Sequence, residues 1–260
     1  MEIGTVSTVS MIGMVVSMIV AVLLPVALCI VVMKKTKAKL VSLVWGCGVF
    51  FVFAMILEQI LHTIVLTVTG TKLTENIWLY ALYGAAAAAV FEETGRFLAM
   101  KFGMKKFLTK ENALMYGVGH GGFEAILLVG MAQVSNLIMA LMINENQLEA
   151  ILGALDDTQK AATLESLSAL WTTPDYLFFL SGVERVFAII LQISFSVFMY
   201  YGVKQAKKSF VFLTVAAHFI VDFIMVVLAD KIPTLAVEGA ICVMAVIVGY
   251  MALQLYKKAE

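Results

Sequence analysis

Seven long apolar stretches, each bounded by charged or polar residues, constrain this chain more than any other feature of its sequence. They cover residues 10–33, 40–68, 77–100, 112–143, 176–203, 209–229 and 235–256. A helix that crosses the hydrocarbon core of a bilayer needs about 20 predominantly apolar residues. The sequence therefore predicts an all-α, polytopic integral membrane protein with about seven transmembrane helices in a single domain, residues 1–260.

The composition supports this interpretation and argues against several other classes of protein. Hydrophobic residues make up 62% of the 260 residues and charged residues 14%, and the mean hydropathy is +0.98. Soluble domains are nearer half apolar and a quarter charged. These values disfavour a water-soluble fold and exclude a disordered chain and a nucleic-acid-binding protein. The three cysteines lie in apolar runs without a CxxC partner, which argues against a disulfide framework and a zinc ribbon.

The lysines predict how the helices are oriented. Thirteen of them lie in the connections 34–39, 101–110 and 204–208 and in the C-terminal tail, whereas the opposite connections hold only three. Because cytoplasmic loops carry an excess of lysine and arginine, we expect a multi-pass protein of the cell membrane with its N-terminus outside and its C-terminus inside. The long connection 144–175 is then extracytoplasmic, and its mixture of acidic residues, leucine and alanine predicts a surface helix.

Ionisable residues within the apolar stretches indicate a functional site. Each costs roughly 2.5–3.5 kcal/mol to insert into the hydrocarbon region on insertion scales. The set comprises Glu58, His62, Glu92, Glu93, Arg96, His120, Glu124, Glu184, Arg185, His218 and Asp222. So many buried polar groups are tolerated only if they face one another or water inside the helix bundle.

Counting along the helices predicts which of these residues meet. At 1.5 Å per residue, Glu92, His120 and His218 each lie roughly 15 Å from the cytosolic lysines, so we expect three helices to place them at one depth. Glu124 and Asp222 point towards the outer half of the membrane, and Glu184, nine residues after Asp175, lies at a level comparable to theirs. Three pairs four residues apart also share a helix face. These pairs are Glu92 and Arg96, His120 and Glu124, and His218 and Asp222.

Carboxylates beside histidines, away from bulk water, suit the activation of a water molecule for hydrolysis. The chain contains neither HExxH nor GxSxG, which argues against the usual zinc-protease helix and a serine nucleophile elbow. A metal-dependent form of the reaction would use a mixed nitrogen and oxygen site for zinc or another divalent metal. The candidate ligands are Glu92, His120, Glu124, His218 and Asp222. Two further alternatives remain open: a proton- or ion-coupled transporter, because buried Glu and His also line proton pathways, and a purely structural polar cluster.

Three motifs, in a fixed order and on separate predicted helices, resemble a known family. They are Glu92-Glu93-Thr-Gly-Arg96, Tyr116-Gly-Val-Gly-His120 and His218-Phe-Ile-Val-Asp222. This set is similar to the CAAX protease and bacteriocin-processing superfamily of intramembrane proteases, and most closely to its YhfC-like branch. The resemblance implies an intramembrane endopeptidase whose partners are the lipid bilayer and a membrane-associated protein or peptide substrate.

The same resemblance implies roles for individual residues. Glu92 would activate water with the assistance of His120. His218 and Asp222 would stabilise the oxyanion. Asp222 stands where the family more commonly has Asn, and an ionised aspartate cannot donate a hydrogen bond. It would therefore have to be protonated, orient His218 or belong to a metal site.

Four further residues complete the predicted site. The resemblance implies that Glu93 belongs with the catalytic group and that Arg96 supports it. Arg96 falls one position earlier than in the common family spacing. Glu124 and Glu184 lie outside the shared motifs and are interpreted as additions of this branch.

Overall fold

The computed structural model describes residues 3–258, which form helices and turns with no strand among them. The predicted all-α fold class is thus confirmed. The long helices are α1 (Thr8–Lys35), α2 (Leu40–Thr69), α3 (Ile77–Leu98), α4 (Lys110–Asn144), α5 (Asp157–Thr172), α6 (Asp175–Lys204), α7 (Lys208–Lys231) and α8 (Thr234–Lys258). Single helical turns occur at Thr71–Thr74 and Glu149–Leu152.

Three segments have the wider hydrogen-bonding pattern of a π-helix. They are Phe50–Glu58 within α2, Ile126–Gly130 within α4, and Ala99–Gly103, which directly follows α3. Such segments are rare in proteins, and those that occur often lie at functional sites. Glu58 ends the first of them.

Local sequence explains several helix ends. Asn76 caps α3, where its side chain accepts hydrogen bonds from the backbone N–H groups of Trp78 and Leu79. Asp156 and Gln159 form a reciprocal capping box at the start of α5. Such caps satisfy the N–H groups that have no partner inside the helix.

Six of the described helices are long and apolar enough to cross a membrane: α1, α2, α4, α6, α7 and α8. The other predicted span forms α3, which at 1.5 Å per residue is about 33 Å long. Glu92, Glu93 and Arg96 lower its hydropathy, but all three side chains are buried. Helix α3 packs against α2 and α7. Its crossing of the membrane stays a prediction.

The chain divides into two compact units. The first contains Met1–Leu23 and Ala125–Val186, and the second contains Leu24–Glu124 and Phe187–Glu260. In the first unit, the amide of Asn144 bonds both backbone polar groups of Val6. The prediction of one domain stays a prediction.

Close helix packing in the second unit depends on glycine. A Cβ atom on Gly46 of α2 would lie 2.2 Å from the carbonyl oxygen of Tyr116 on α4. A Cβ atom on Gly119 would lie 2.2 Å from the carbonyl oxygen of Leu43. Small residues allow such backbone approach between membrane helices. The contact places His120, next to Gly119, in the interior of the unit.

Candidate active site

Three side chains from α3 and α4 converge inside the second unit. Oε2 of Glu92 lies 2.9 Å from Nε2 of His120. One ligand atom from each of Glu92, His120 and Glu124 lies within 4.8 Å of the other two. The first two residues are buried and Glu124 is partly buried. The contact between Glu92 and His120 agrees with the equal depth that counting along the helices predicts for them.

Gln192 of α6 connects these carboxylates. Its Nε2 donates to Oε2 of Glu92 and to Oε2 of Glu124, each at 3.0 Å. Its Oε1 accepts a hydrogen bond from Nη2 of Arg96. The two ends of one amide thus face groups of opposite charge.

Arg96 is fully buried, and acceptors surround its guanidinium group. Nη1 donates to the backbone oxygen of Gln192 at 2.7 Å and to the hydroxyl of Ser196. Nε forms an ion pair with Oε2 of Glu93 at 3.0 Å. Arg96 therefore pairs with Glu93 while also holding α6 against α3.

His218 of α7 lies between two carboxylates. Its Nδ1 is 2.9 Å from Oε1 of Glu93, and its Nε2 is 3.3 Å from Oδ2 of Asp222. The ring of Phe195 stacks on the imidazole with a centroid distance of 4.8 Å. These contacts fix the imidazole plane, with Glu93 on its Nδ1 side and Asp222 on its Nε2 side.

Aromatic rings also enclose His120. The ring of Phe50 meets it edge-on at a centroid distance of 5.3 Å. The ring of Tyr116, one helical turn earlier, lies 5.9 Å from it and 5.7 Å from the guanidinium carbon of Arg96. The motif residue Tyr116 thus contacts both the histidine and the arginine of the cluster. Its hydroxyl is buried and has no hydrogen-bond partner among the described residues.

Of the eight predicted site residues, the structure brings seven together, all in the second unit. They are Glu92, Glu93, Arg96, His120, Glu124, His218 and Asp222. We call these seven and Gln192 the polar cluster. Glu184 lies in the first unit, where its side chain pairs with Arg185. Glu58 contacts His62 at 3.1 Å, and His62 contacts Tyr83 of α3 at 2.8 Å, so this pair links α2 to α3.

Sequence reasoning missed Gln192 and Ser196. A signal was present, because both are polar residues in the most apolar part of the stretch 176–203. A buried amide is costly unless it is hydrogen-bonded, so a glutamine there predicts a polar partner on a neighbouring helix.

The cluster has the charge and donor atoms that a divalent cation requires. Its four carboxylates outnumber its one guanidinium group by three. Buried charges are normally paired or coordinate a metal. Glu92, His120 and Glu124 offer two oxygens and one nitrogen, a donor set that suits zinc and similar ions and leaves a position for water. The hydrogen bonds from Gln192 match the outer-shell contacts that orient metal-binding carboxylates.

Comparison with known proteins places this site in a wider context. The family model described as YhfC intramembrane metalloprotease matches residues 20–248, a range that contains the whole polar cluster. The chain is 37% identical to the "Uncharacterized membrane protein YhfC" of Bacillus subtilis (strain 168) over 202 residues. That match covers 76% of this chain and 77% of the relative. No solved structure matches the chain significantly.

Proposed function

Because this chain belongs to the YhfC intramembrane metalloprotease family, we propose that it is an endopeptidase that hydrolyses a peptide bond within or near the membrane. The convergence of Glu92, His120 and Glu124 carries this proposal. The substrate is a membrane-associated protein or peptide. Family membership favours hydrolysis over the transport hypothesis. The wider likeness to the CAAX protease and bacteriocin-processing superfamily is part of the same proposal.

In the metal-dependent form, Glu92, His120 and Glu124 hold a divalent ion, with zinc as the first candidate. The ion would polarise the scissile carbonyl and ease deprotonation of a water molecule. Gln192 keeps both carboxylates turned towards this position, since its Nε2 bonds one oxygen of each. Arg96 fixes the amide of Gln192 from the opposite side.

The direct contact between Glu92 and His120 supports a second, metal-free form of the reaction. At 2.9 Å the two groups can share a proton. Glu92 then acts as the general base that takes a proton from water, and His120 orients the carboxylate. Both forms place the attack beside Glu92.

His218 and Asp222 have a defined place in either form. Their implied oxyanion role requires an N–H group to face the substrate, whereas both ring nitrogens of His218 now face carboxylates. We propose that His218 positions Glu93 in the resting protein. We further propose that it gives up its Asp222 contact when substrate binds, because the Asp222 side chain is the more exposed partner.

The test compares metal content and cleavage for purified wild type, Glu92→Gln and Glu124→Gln, with Glu184→Gln as the control from the other unit. We expect Glu92→Gln to reduce cleavage of a quenched fluorescent peptide library at least about 100-fold. Glu184→Gln should cleave at close to the wild-type rate. A correctly folded Glu92→Gln protein with wild-type cleavage would overturn the proposal.

Metal analysis separates the two forms of the reaction. One ion per active chain, lost in Glu124→Gln together with activity, supports the metal-dependent form. Full activity in a protein without stoichiometric metal supports the glutamate and water form. Metal content and cleavage are measured on the same preparations. A thermal unfolding curve of each preparation shows whether a variant has a folding defect.

A further inference from the structure

Two cavities adjoin at the lysine-rich end of the second unit. One has a volume of about 400 Å³ and is lined mainly by apolar side chains. The other has a volume of about 730 Å³ and is lined mainly by polar and charged side chains. Both volumes lie within the usual range of small-molecule sites. The two cavities share Lys35, Thr36 and Tyr256, so an apolar cavity and a basic cavity lie side by side.

The apolar cavity lies between α1, α6 and α8. Its walls include Val31 of α1, Ile193 of α6 and Leu253 of α8. Val31 is 45% exposed and Leu253 is 47% exposed, so the cavity opens to the outside of the helix bundle. Ser194 also lines it, but its hydroxyl donates to the backbone oxygen of Ile190 at 2.6 Å. The cavity therefore offers mainly apolar contacts, and the Ser194 hydroxyl needs no hydrogen-bond partner from a ligand.

The basic cavity carries an excess of positive charge. Lys35, Lys37, Lys39 and Lys106 line it, against a single carboxylate from Glu111. Asn112 also lines it. The Asn112 side chain is already engaged, because its Oδ1 accepts from the backbone N–H of Lys39 and its Nδ2 donates to the backbone oxygen of Phe107. Four lysines against one carboxylate favour an anionic ligand.

We propose that the two cavities together bind one anionic phospholipid, with its phosphate among the lysines and an acyl chain in the apolar cavity. A soluble anion would leave the apolar part empty, and a neutral lipid would not use the excess positive charge. Basic pockets between membrane helices are known binding places for anionic headgroups. Tyr256, at the junction, has the amphipathic ring that suits the boundary between headgroup and hydrocarbon.

The site is separate from the polar cluster. None of the residues that line the two cavities belongs to that cluster. Binding of lipid can therefore be measured in a protein whose proposed peptidase residues are unchanged. Failure of the lipid proposal would leave the proposed activity untouched.

The first experiment is native mass spectrometry of the full chain in detergent, titrated with dioleoyl phosphatidylglycerol or dioleoyl phosphatidylcholine. The lining variant is K35Q/K39Q/K106Q. The matched control, K34Q/K105Q/K257Q, removes the same charge from neighbouring exposed lysines that line neither cavity. Each lysine near a headgroup is worth roughly a factor of five in affinity. We expect phosphatidylglycerol to bind at least about tenfold more tightly than phosphatidylcholine, and the lining variant to lose at least about tenfold in affinity for it.

The second experiment blocks the apolar part. Val31→Trp places a large ring in the groove, and Val243→Trp is the control on an exposed position of α8 outside both cavities. We expect Val31→Trp alone to weaken phosphatidylglycerol binding several-fold and to leave binding of soluble glycerol phosphate unchanged.

Three results would overturn the proposal. Equal affinity for phosphatidylglycerol and phosphatidylcholine would show that the headgroup charge does not contribute to binding. Equal loss in the lining and control lysine variants would indicate general surface attraction. Full competition by glycerol phosphate, with no effect of Val31→Trp, would indicate a site for soluble anions.

Discussion

At the scale of single residues, Gln192 connects the carboxylates of the polar cluster to its guanidinium group. Its amide nitrogen serves Glu92 and Glu124, and its amide oxygen serves Arg96. A side-chain amide has two N–H donors and one carbonyl acceptor, so it can donate to two carboxylates and accept from a guanidinium group at the same time. A carboxylate at this position would be repelled by the negative charges of Glu92 and Glu124. An apolar side chain would remove the hydrogen bonds of all three partners to this residue.

We predict that Gln192→Leu lowers the affinity for a bound divalent metal by about 10- to 100-fold, the usual effect of losing an outer-shell partner. A titration with zinc against a competing chelator measures this. Gln133→Leu is the control, because Gln133 is also a buried amide but lies in the first unit, where it donates to Ser181. Unchanged zinc affinity in Gln192→Leu would contradict the role assigned to this side chain.

Arg96 and Glu93 form a buried ion pair whose partners depend on each other. Removal of Arg96 leaves the Glu93 carboxylate buried without its cation, which typically costs about 3–5 kcal/mol. We therefore predict that Arg96→Met strongly lowers the free energy of unfolding and that adding Glu93→Gln restores part of the loss. Denaturation of the detergent-solubilised single and double variants measures this. A double variant less stable than Arg96→Met would refute the coupling.

The sequence allowed part of this residue-level arrangement to be predicted. Counting from the bounding lysines gives the depth of a side chain along its helix, and it predicted an equal depth for Glu92 and His120, which are in contact. It does not give lateral position, because helices at the same depth need not be neighbours. Glu184, counted from Asp175, was expected at the level of Glu124, yet Glu124 bonds Gln192, eight residues further along α6, and Glu184 pairs with Arg185.

At the scale of helices, the apolar runs predicted the element boundaries closely. The stretch 40–68 became Leu40–Thr69, and the stretch 112–143 became Lys110–Asn144. The wide turns inside these helices could not be predicted. A helix that is apolar on every side shows no periodic pattern that would reveal a local change of winding. Contacts between helices, which favour such turns, are likewise not readable from a uniformly apolar run.

Close packing of α2 on α4 gives the third prediction. Gly46→Ala would place a methyl group 2.2 Å from a backbone oxygen of α4, so the helices must separate near His120. Gly48→Ala, two residues later in the same helix, meets nothing within 4 Å. We expect Gly46→Ala to lower the thermal unfolding temperature and Gly48→Ala to keep or slightly raise it, because alanine is the better helix former. Equal stability of the two variants would show that the Gly46 contact is not required.

At the scale of the whole molecule, the number of membrane crossings decides where the two ends of the chain lie. The six helices selected by length and hydropathy would leave both ends on one side. Seven crossings, which include α3, place them on opposite sides. The lysine distribution favours seven, because thirteen lysines then share the cytosolic side. The acidic residues that lower the hydropathy of α3, Glu92 and Glu93, belong to the polar cluster, so a hydropathy criterion does not select this helix.

The orientation can be tested with single cysteines in a chain whose natural cysteines are replaced. Those to be replaced are Cys29, Cys47 and Cys242. We predict that Thr5→Cys and Lys160→Cys react with a membrane-impermeant maleimide in intact cells, whereas Lys105→Cys and Lys257→Cys react only after permeabilisation. Thr5, Lys105 and Lys257 are exposed in the structure and Lys160 is half-buried, so the comparison of Thr5→Cys with Lys105→Cys and Lys257→Cys reports the side of the membrane and not burial. Equal labelling of Thr5→Cys and Lys257→Cys in intact cells would mean an even number of crossings. Helix α3 would then not span the bilayer, and the polar cluster would have to reach its substrate from one membrane face.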